Sequence, residues 1–190
     1  KAADRENNGA FNNQSFIKAG EMIQTMVDEN YFPPGVNGLE EDSGQSRNLL
    51  YTDRAGMYLM GSWAYGAIKN ENPKFVDKLD FFMFPEIQSG EGDPSNIVGT
   101  PGNTYFSVSS SCEKKELAVE FLKYLSDEKT AELFVEEGNI PPFKGVESKL
   151  EHPTMKKIYN KLKEANYIQL WYDQYLPAQL AEVHKNTTQA

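Results

Sequence analysis

The stretch that decides the fold is residues 54–63, RAGMYLMGSW, an apolar run that ends at a Gly-Ser pair and a tryptophan. Residues 57–60 favour an extended, buried strand, and Gly61 permits a turn or a close approach that a Cβ would obstruct. We expect Ser62 to cap a helix that begins at Trp63. Ligand contacts in an open α/β fold gather at such a strand-to-helix junction, although a tryptophan there is equally compatible with packing in the core.

Composition and charge narrow the function classes. The 190 residues suffice for the core of one domain or of two small ones. A formal net charge of −9, from 28 acidic against 19 basic residues, argues against a nucleic-acid partner. No apolar run approaches the ~18 residues of a membrane span. The start at Lys1 shows neither an initiator methionine nor a signal sequence, so we expect a piece of a longer protein.

The residues that bind metals or form disulfides are scarce. Cys112 is the one cysteine in the sequence, which excludes an internal disulfide and a cysteine-rich metal site. His152 and His184 lie far apart and neither has metal-ligand spacing. We therefore predict no metal and no cofactor.

Periodicity and capping signals predict a helix-rich chain. Apolar residues at helical spacing predict a helix over about residues 13–29 and further helices after a capping box at 110–113, from Asp127 to Gly138, from Pro153 and from Pro177. Besides residues 57–60, apolar runs at 79–84 and 105–109 predict two more strands. The pattern indicates an α/β chain with few strands.

Several segments resemble one protein family in their order and spacing. Residues 54–63 are similar to the "AMyl-GSW" segment of the family 1 extracellular solute-binding proteins of bacterial ABC importers, the maltose-binding-protein-like group. The resemblance continues in KAGEMI (18–23), NYFPPGVNG (30–38), VGTPG (98–102), AVEFLKYLS (118–126), GNIPP (138–142) and QLWYDQYLP (169–177). No segment alone is diagnostic, whereas together they cover nearly the whole chain.

This resemblance implies a fold and a domain assignment. The chain would be the helix-rich C-terminal portion of a two-domain, periplasmic-binding-protein-like α/β fold. Residues 1–100 would belong to the C-terminal domain, 101–143 would form hinge strands and a helical excursion into the N-terminal domain, and 144–190 would return to C-terminal-domain helices.

A sugar cleft needs an aromatic platform for the apolar face of a pyranose and polar groups for its hydroxyls. Trp63, with Ser62 beside it, is the first candidate, and Trp171 with Asp173 is the second, since a carboxylate accepts hydrogen bonds from two hydroxyls. Structural roles are equally open to this second pair, with Trp171 anchoring a loop and Asp173 capping a helix. The third candidate is a loop whose glycine lets backbone amides approach a ligand: Gly99, Asn103 and Tyr105.

The resemblance implies a non-catalytic, extracytoplasmic sugar receptor, in the periplasm or at the cell surface. It would deliver its ligand to the permease subunits of an ABC importer and touch the membrane only through a lipid anchor outside this chain. A glycoside hydrolase fragment is the alternative from another class, and it would need two opposed carboxylates, for which Asp173, Glu182 and Asp53 are nominees. A receptor for a peptide or another non-sugar solute is the third possibility.

Overall fold

The computed structural model describes residues 13–99 and 106–189. Helices dominate these ranges, as the periodicity predicts. The α-helices are α1 (Gln14–Asp28), α2 (Gln45–Tyr51), α3 (Trp63–Glu71), α4 (Lys115–Leu125), α5 (Glu128–Glu136), α6 (Pro153–Glu164), α7 (Tyr172–Tyr175) and α8 (Ala178–Gln189). Short 3₁₀ helices cover Val36–Gly38, Pro73–Lys78 and Val146–Ser148. The predicted helices at 13–29 and from Trp63, Asp127, Pro153 and Pro177 are confirmed.

Side chains at three helix N-termini accept hydrogen bonds from the first backbone amides. Asn13 accepts from the amide of Ser15 at 2.9 Å and Asp127 from that of Thr130 at 2.8 Å. His152 caps α6 in the same way, directly before Pro153.

Two predicted caps are wrong. Ser62 has helical dihedral angles and no side-chain capping bond, and α4 begins at Lys115 after an uncapped Lys114, so the box at residues 110–113 does not cap it. At Ser62 the turn is held by backbone hydrogen bonds from Ala64 to Gly61 and from Tyr65 to Ser62.

Three helices end in the same left-handed C-terminal motif. At the end of α5, the amides of Gly138 and Asn139 donate to the carbonyls of Val135 and Phe134, and Gly138 has φ +80°. Asn30 and Asp53 occupy the equivalent position after α1 and α2, with φ of 59° and 55°. Residues other than glycine therefore hold the left-handed position twice, at a conformational cost.

The chain divides into two units, which are described separately. Unit 1 comprises Lys1–Tyr58, Glu86–Gly92 and Leu170–Ala190. Its described residues include α1, α2, α7 and α8, and its buried apolar side chains are Leu49, Leu50, Leu176 and Ala181. The Tyr172 ring packs against His184 of α8 at a centroid distance of 5.5 Å and against Phe16 of α1 at 6.0 Å. These rings join α7 to α1 and α8.

Unit 2 comprises Leu59–Pro85 and Asp93–Gln169. Its described residues include α3 to α6, and its core contains Tyr65, Ile68, Val76, Ala131, Val146, Leu150 and Met155. The Thr154 hydroxyl at the start of α6 donates to the Leu79 carbonyl at 3.1 Å, and Lys157 bonds both carboxylate oxygens of Asp80 at 2.8 Å. These bonds attach α6 to the segment that follows Pro73–Lys78.

The strands differ from those predicted. Residues 57–60, 79–84 and 106–109 have no ladder partner among the described residues, and Tyr105 lies outside them. The two strands of the described ranges are β1 (Ile97–Val98) and β2 (Ile168–Gln169), paired in parallel with Ile97 opposite Ile168. The prediction of an α/β chain with few strands is confirmed, whereas their positions were wrong because a strand requires a partner as well as an apolar run.

Several apolar helix faces are solvent-exposed. No residue of α1 or α4 is buried, and the α4 side chains Leu117 and Phe121 are 65% and 58% exposed. The apolar stripes read from the sequence are present, but they do not form a core within either unit. Within the described ranges, no helix combines the length and apolar character that crossing a bilayer requires.

Candidate functional site

Trp63 is the first residue of α3 and follows a segment without regular secondary structure. The amide of Ala64 donates to the Gly61 carbonyl at 3.0 Å and that of Tyr65 to the Ser62 carbonyl at 3.2 Å, so the turn into the helix is held by its backbone. The buried Tyr65 and Ile68 anchor α3, while Trp63 remains 39% exposed. The indole is therefore accessible at the end of a fixed helix, as a stacking platform must be.

A buried polar cluster lies before this segment in unit 1. Arg47 and the Tyr58 hydroxyl both bond Oε1 of Glu41, and Arg47 Nη1 also donates to the Glu41 carbonyl at 3.2 Å. Arg47 is buried, and Glu41 Oε2 is buried without a hydrogen-bond partner among the described residues. Burial first, and then the bond to Glu41, raise the pKa of Tyr58 well above its ordinary range, so it stays a neutral donor. The cluster fixes Tyr58 five residues before Trp63.

Trp171 and Asp173 lie at the start of α7. The Trp171 carbonyl accepts the amides of Gln174 and Tyr175 at 3.1 and 2.8 Å, so Trp171 is the N-cap residue through its backbone. Its side chain is partly buried, and Asp173 is exposed in the first turn, where a carboxylate is favourable to the helix dipole. Tyr172 lies between these two residues in the sequence, and its ring packs against Phe16 and His184 within unit 1.

A cation lies close to Asp173. Lys185 on α8 forms an ion pair with Glu182 at 2.9 Å. Glu182 is the main cause of the raised pKa of Lys185, and Asp173 contributes to it. The positive charge of Lys185 therefore acts on the candidate carboxylate, while its ion pair is with Glu182.

The third candidate group is described only in part. The amide of Gly99 donates to the Gln169 carbonyl at 2.9 Å, next to the β1–β2 pair. Its N–H group is therefore already bonded within unit 2. Asn103 and Tyr105 lie outside the described residues.

The candidates are distributed over both units. Ser62, Trp63 and Gly99 belong to unit 2, and Trp171 and Asp173 belong to unit 1. Sequence reasoning missed the cluster of Glu41, Arg47 and Tyr58, because a hydrogen bond between residues 17 positions apart has no local sequence signal.

Metal-ligating side chains are dispersed. Within residues 13–99 and 106–189, histidines, cysteines and carboxylates do not gather in a group of three or more that could hold a metal ion.

Comparison with known proteins identifies a family and a relative. Residues 1–132 match the model of the family described as bacterial extracellular solute-binding protein. The chain is also 26% identical over 172 residues to a protein of Streptococcus mutans serotype c (strain ATCC 700610 / UA159) named "Multiple sugar-binding protein". That match covers 87% of the chain and 39% of the relative, so the chain spans about two fifths of the length of this curated relative.

The family match extends over more than half of the 190 residues and includes the Gly61–Ser62–Trp63 turn. The chain belongs to the bacterial extracellular solute-binding protein family.

Proposed function

We propose that the protein is an extracytoplasmic receptor that binds a sugar or an oligosaccharide and delivers it to the permease subunits of an ABC importer. Family membership supports the receptor role, and the name of the S. mutans relative supports a sugar as the ligand. The observation that carries the proposal is the exposed indole of Trp63 at the start of a helix that is otherwise anchored in the core.

The chemistry of a pyranose suits this residue. One face of the sugar ring presents C–H groups, which stack on an indole, and its rim presents hydroxyls. The Ser62 hydroxyl is exposed next to Trp63 and can donate or accept. We assign the stacking contact to Trp63 and a rim contact to Ser62.

Trp171 and Asp173 are the proposed second group of contacts. Their backbone positions are set by the start of α7, and the Asp173 carboxylate is exposed. A carboxylate accepts from two adjacent hydroxyls in charge-assisted bonds. Gly99, Asn103 and Tyr105 complete the proposed set.

The proposed receptor has the two-domain architecture that the sequence resemblance implies. The domain assignment stays a prediction, with residues 1–100 and 144–190 in the C-terminal domain and residues 101–143 forming hinge strands and an excursion. In this mechanism the ligand lies in the interdomain cleft and hinge closure traps it. A lipid anchor outside this chain would hold the receptor at the membrane.

A glycoside hydrolase is the alternative from another class. Its general acid needs a raised pKa, which apolar surroundings provide. The nominated carboxyls Asp53, Asp173 and Glu182 are all exposed to solvent, so such surroundings are missing at each of them.

The test is a thermal-shift and calorimetry panel on the full-length receptor that contains these 190 residues. Maltotriose, cellotriose and raffinose represent sugars of different linkage, and a tripeptide and an amino-acid mixture represent other solutes. Saturable binding of a trisaccharide without release of monosaccharide supports the proposal. Hydrolysis of the sugar would favour the enzyme, and binding confined to the peptide or amino acids would refute the sugar assignment.

A further inference from the structure

The indole of Trp63 lies back over Gly61. A Cβ placed on Gly61 would be 2.6 Å from Cε3 of Trp63, and Cζ3 and Cη2 would be closer still. Real Cβ atoms do not approach other heavy atoms within 3.0 Å. The six-membered ring of the indole therefore occupies the volume that any other side chain at position 61 would need.

Helix geometry explains why the ring lies there. Side chains of helical residues point towards the N-terminus and cover the turn that precedes their own Cα. Trp63 is the first residue of α3, so the turn that its ring covers is Gly61–Ser62. The hydrogen bonds from Ala64 and Tyr65 hold the backbone of this turn in place beneath the ring.

The requirement for glycine at position 61 is steric. Positive φ angles among the described glycines occur at Gly35, Gly44, Gly138 and Gly145, and Gly61 is not one of them. An alanine could adopt the Gly61 backbone conformation, but its methyl group would displace the indole.

We propose that Gly61 is a positioning residue for the ligand, because its missing side chain seats the Trp63 ring and sets the ring face that is offered to a sugar. The inference deepens the proposed function and rests on it, since it assumes that Trp63 is the stacking platform. An alanine at position 61 rotates the platform without removing it.

The experiment uses Gly61→Ala in the full chain, with Gly56→Ala as the matched control. A Cβ on Gly56 would meet nothing within 4 Å, and its φ is not positive, so this variant adds the same methyl group nearby without touching the ring. The probe is whichever trisaccharide of the panel binds. We expect Gly61→Ala to raise its Kd about two- to tenfold, the range of an aromatic stacking contact, and Gly56→Ala to leave it unchanged.

A second readout reports the ring without any ligand. In a Trp171→Phe background Trp63 is the sole tryptophan, so its fluorescence and near-ultraviolet circular dichroism report its surroundings alone. Gly61→Ala should change both spectra, and Gly56→Ala should change neither.

A double-mutant cycle with Trp63→Ala separates positioning from a general effect on folding. In the Trp63→Ala background, Gly61→Ala should have no further effect on Kd or on the unfolding temperature. If Gly61→Ala alone lowers the unfolding temperature, adding Trp63→Ala should remove that loss. Additive effects in the two backgrounds would overturn the inference. If Trp63→Ala weakens binding and Gly61→Ala does not, the inference fails while the proposed function stands. If a sugar binds the unmodified protein and neither Trp63→Ala nor Gly61→Ala weakens its binding, both the inference and the assignment of Trp63 fail.

Discussion

Gly66 and Gly138 are in direct backbone contact: a Cβ on Gly138 would come within 2.8 Å of the Gly66 Cα, and a Cβ on Gly66 within 2.7 Å of the Glu137 carbonyl oxygen. Helix α3 thus packs on the end of α5 through backbone atoms at these two glycines, with the Tyr65 ring beside Gly138. Lys69 bonds the Glu136 carbonyl and Asn70 bonds the Glu137 carboxylate at 3.1 Å, which reinforces the contact.

Gly66→Ala should destabilise unit 2 by about 1–3 kcal/mol, the usual cost of overpacking, because the obstacle is backbone rather than a mobile side chain. Gly20→Ala in α1 is the control, since a Cβ there meets nothing within 4 Å. It should stabilise its helix by up to about 1 kcal/mol through helix propensity. Urea unfolding followed by circular dichroism measures both changes, and a similar gain in the two variants would contradict the close contact.

Trp63→Ala and Trp171→Ala should each weaken sugar binding by about 0.5–1.5 kcal/mol or more in the full chain, because each removes a stacking surface. Calorimetry with the trisaccharide that binds measures the loss. Circular dichroism on the same samples checks that the fold is intact. A lowered melting temperature with unchanged affinity would assign the residue to packing instead.

The exposed apolar face of α4 should make the chain self-associate, because apolar surface left in water recruits another surface. Sedimentation velocity over a hundredfold range of concentration tests this. Phe121→Lys on the face should reduce association, whereas Glu120→Gln on the same helix should not, since Glu120 pairs with Lys123 on the exposed surface. A concentration-independent monomer with Leu117 and Phe121 protected from solvent would contradict the exposed face.

The stabilising effect of Asp80 should disappear in acid. Its hydrogen bond with Lys157 is the main reason that its pKa lies below the ordinary 3.8, so the folded state favours the carboxylate. The contribution is therefore present above about pH 4 and is lost as the pH falls through the folded pKa. Melting temperatures of Asp80→Asn and the unmodified chain should differ at pH 7 and approach each other as the pH falls below the folded pKa of Asp80. A Lys157→Met background should reduce the difference at pH 7, since the hydrogen bond with Lys157 is the largest cause of the lowered pKa.

Local signals predicted the helices well. Asn13, Asp127 and Pro153 mark helix starts by chemistry that acts within one turn, and Gly138 marks an end by its left-handed backbone. The strands were not predictable in this way. The run at 79–84 is apolar enough for a strand, yet it is held by α6 through Thr154 instead of by a ladder.

From the sequence, the residue types of the candidate site were predictable, but their spatial arrangement was not. The sequence identifies Trp63 as an aromatic after a Gly-Ser pair, but it does not reveal that the indole occupies the space above Gly61. The helix start at Trp63 was predicted correctly, but the side-chain rotamer that places the ring over Gly61 has no local sequence signal.

The β1–β2 pair has a kinetic consequence. Ile97 and Ile168 are 71 positions apart, and the amides of Ile97 and Gly99 bond the carbonyls of Tyr167 and Gln169 at 3.1 and 2.9 Å. Closing a chain segment of this length costs about 4 kcal/mol in conformational entropy. The few hydrogen bonds of so short a ladder do not offset this cost by themselves. We therefore expect the pair to form only after the helices between its strands have packed, and its amides to be among the first in unit 2 to exchange with deuterated solvent.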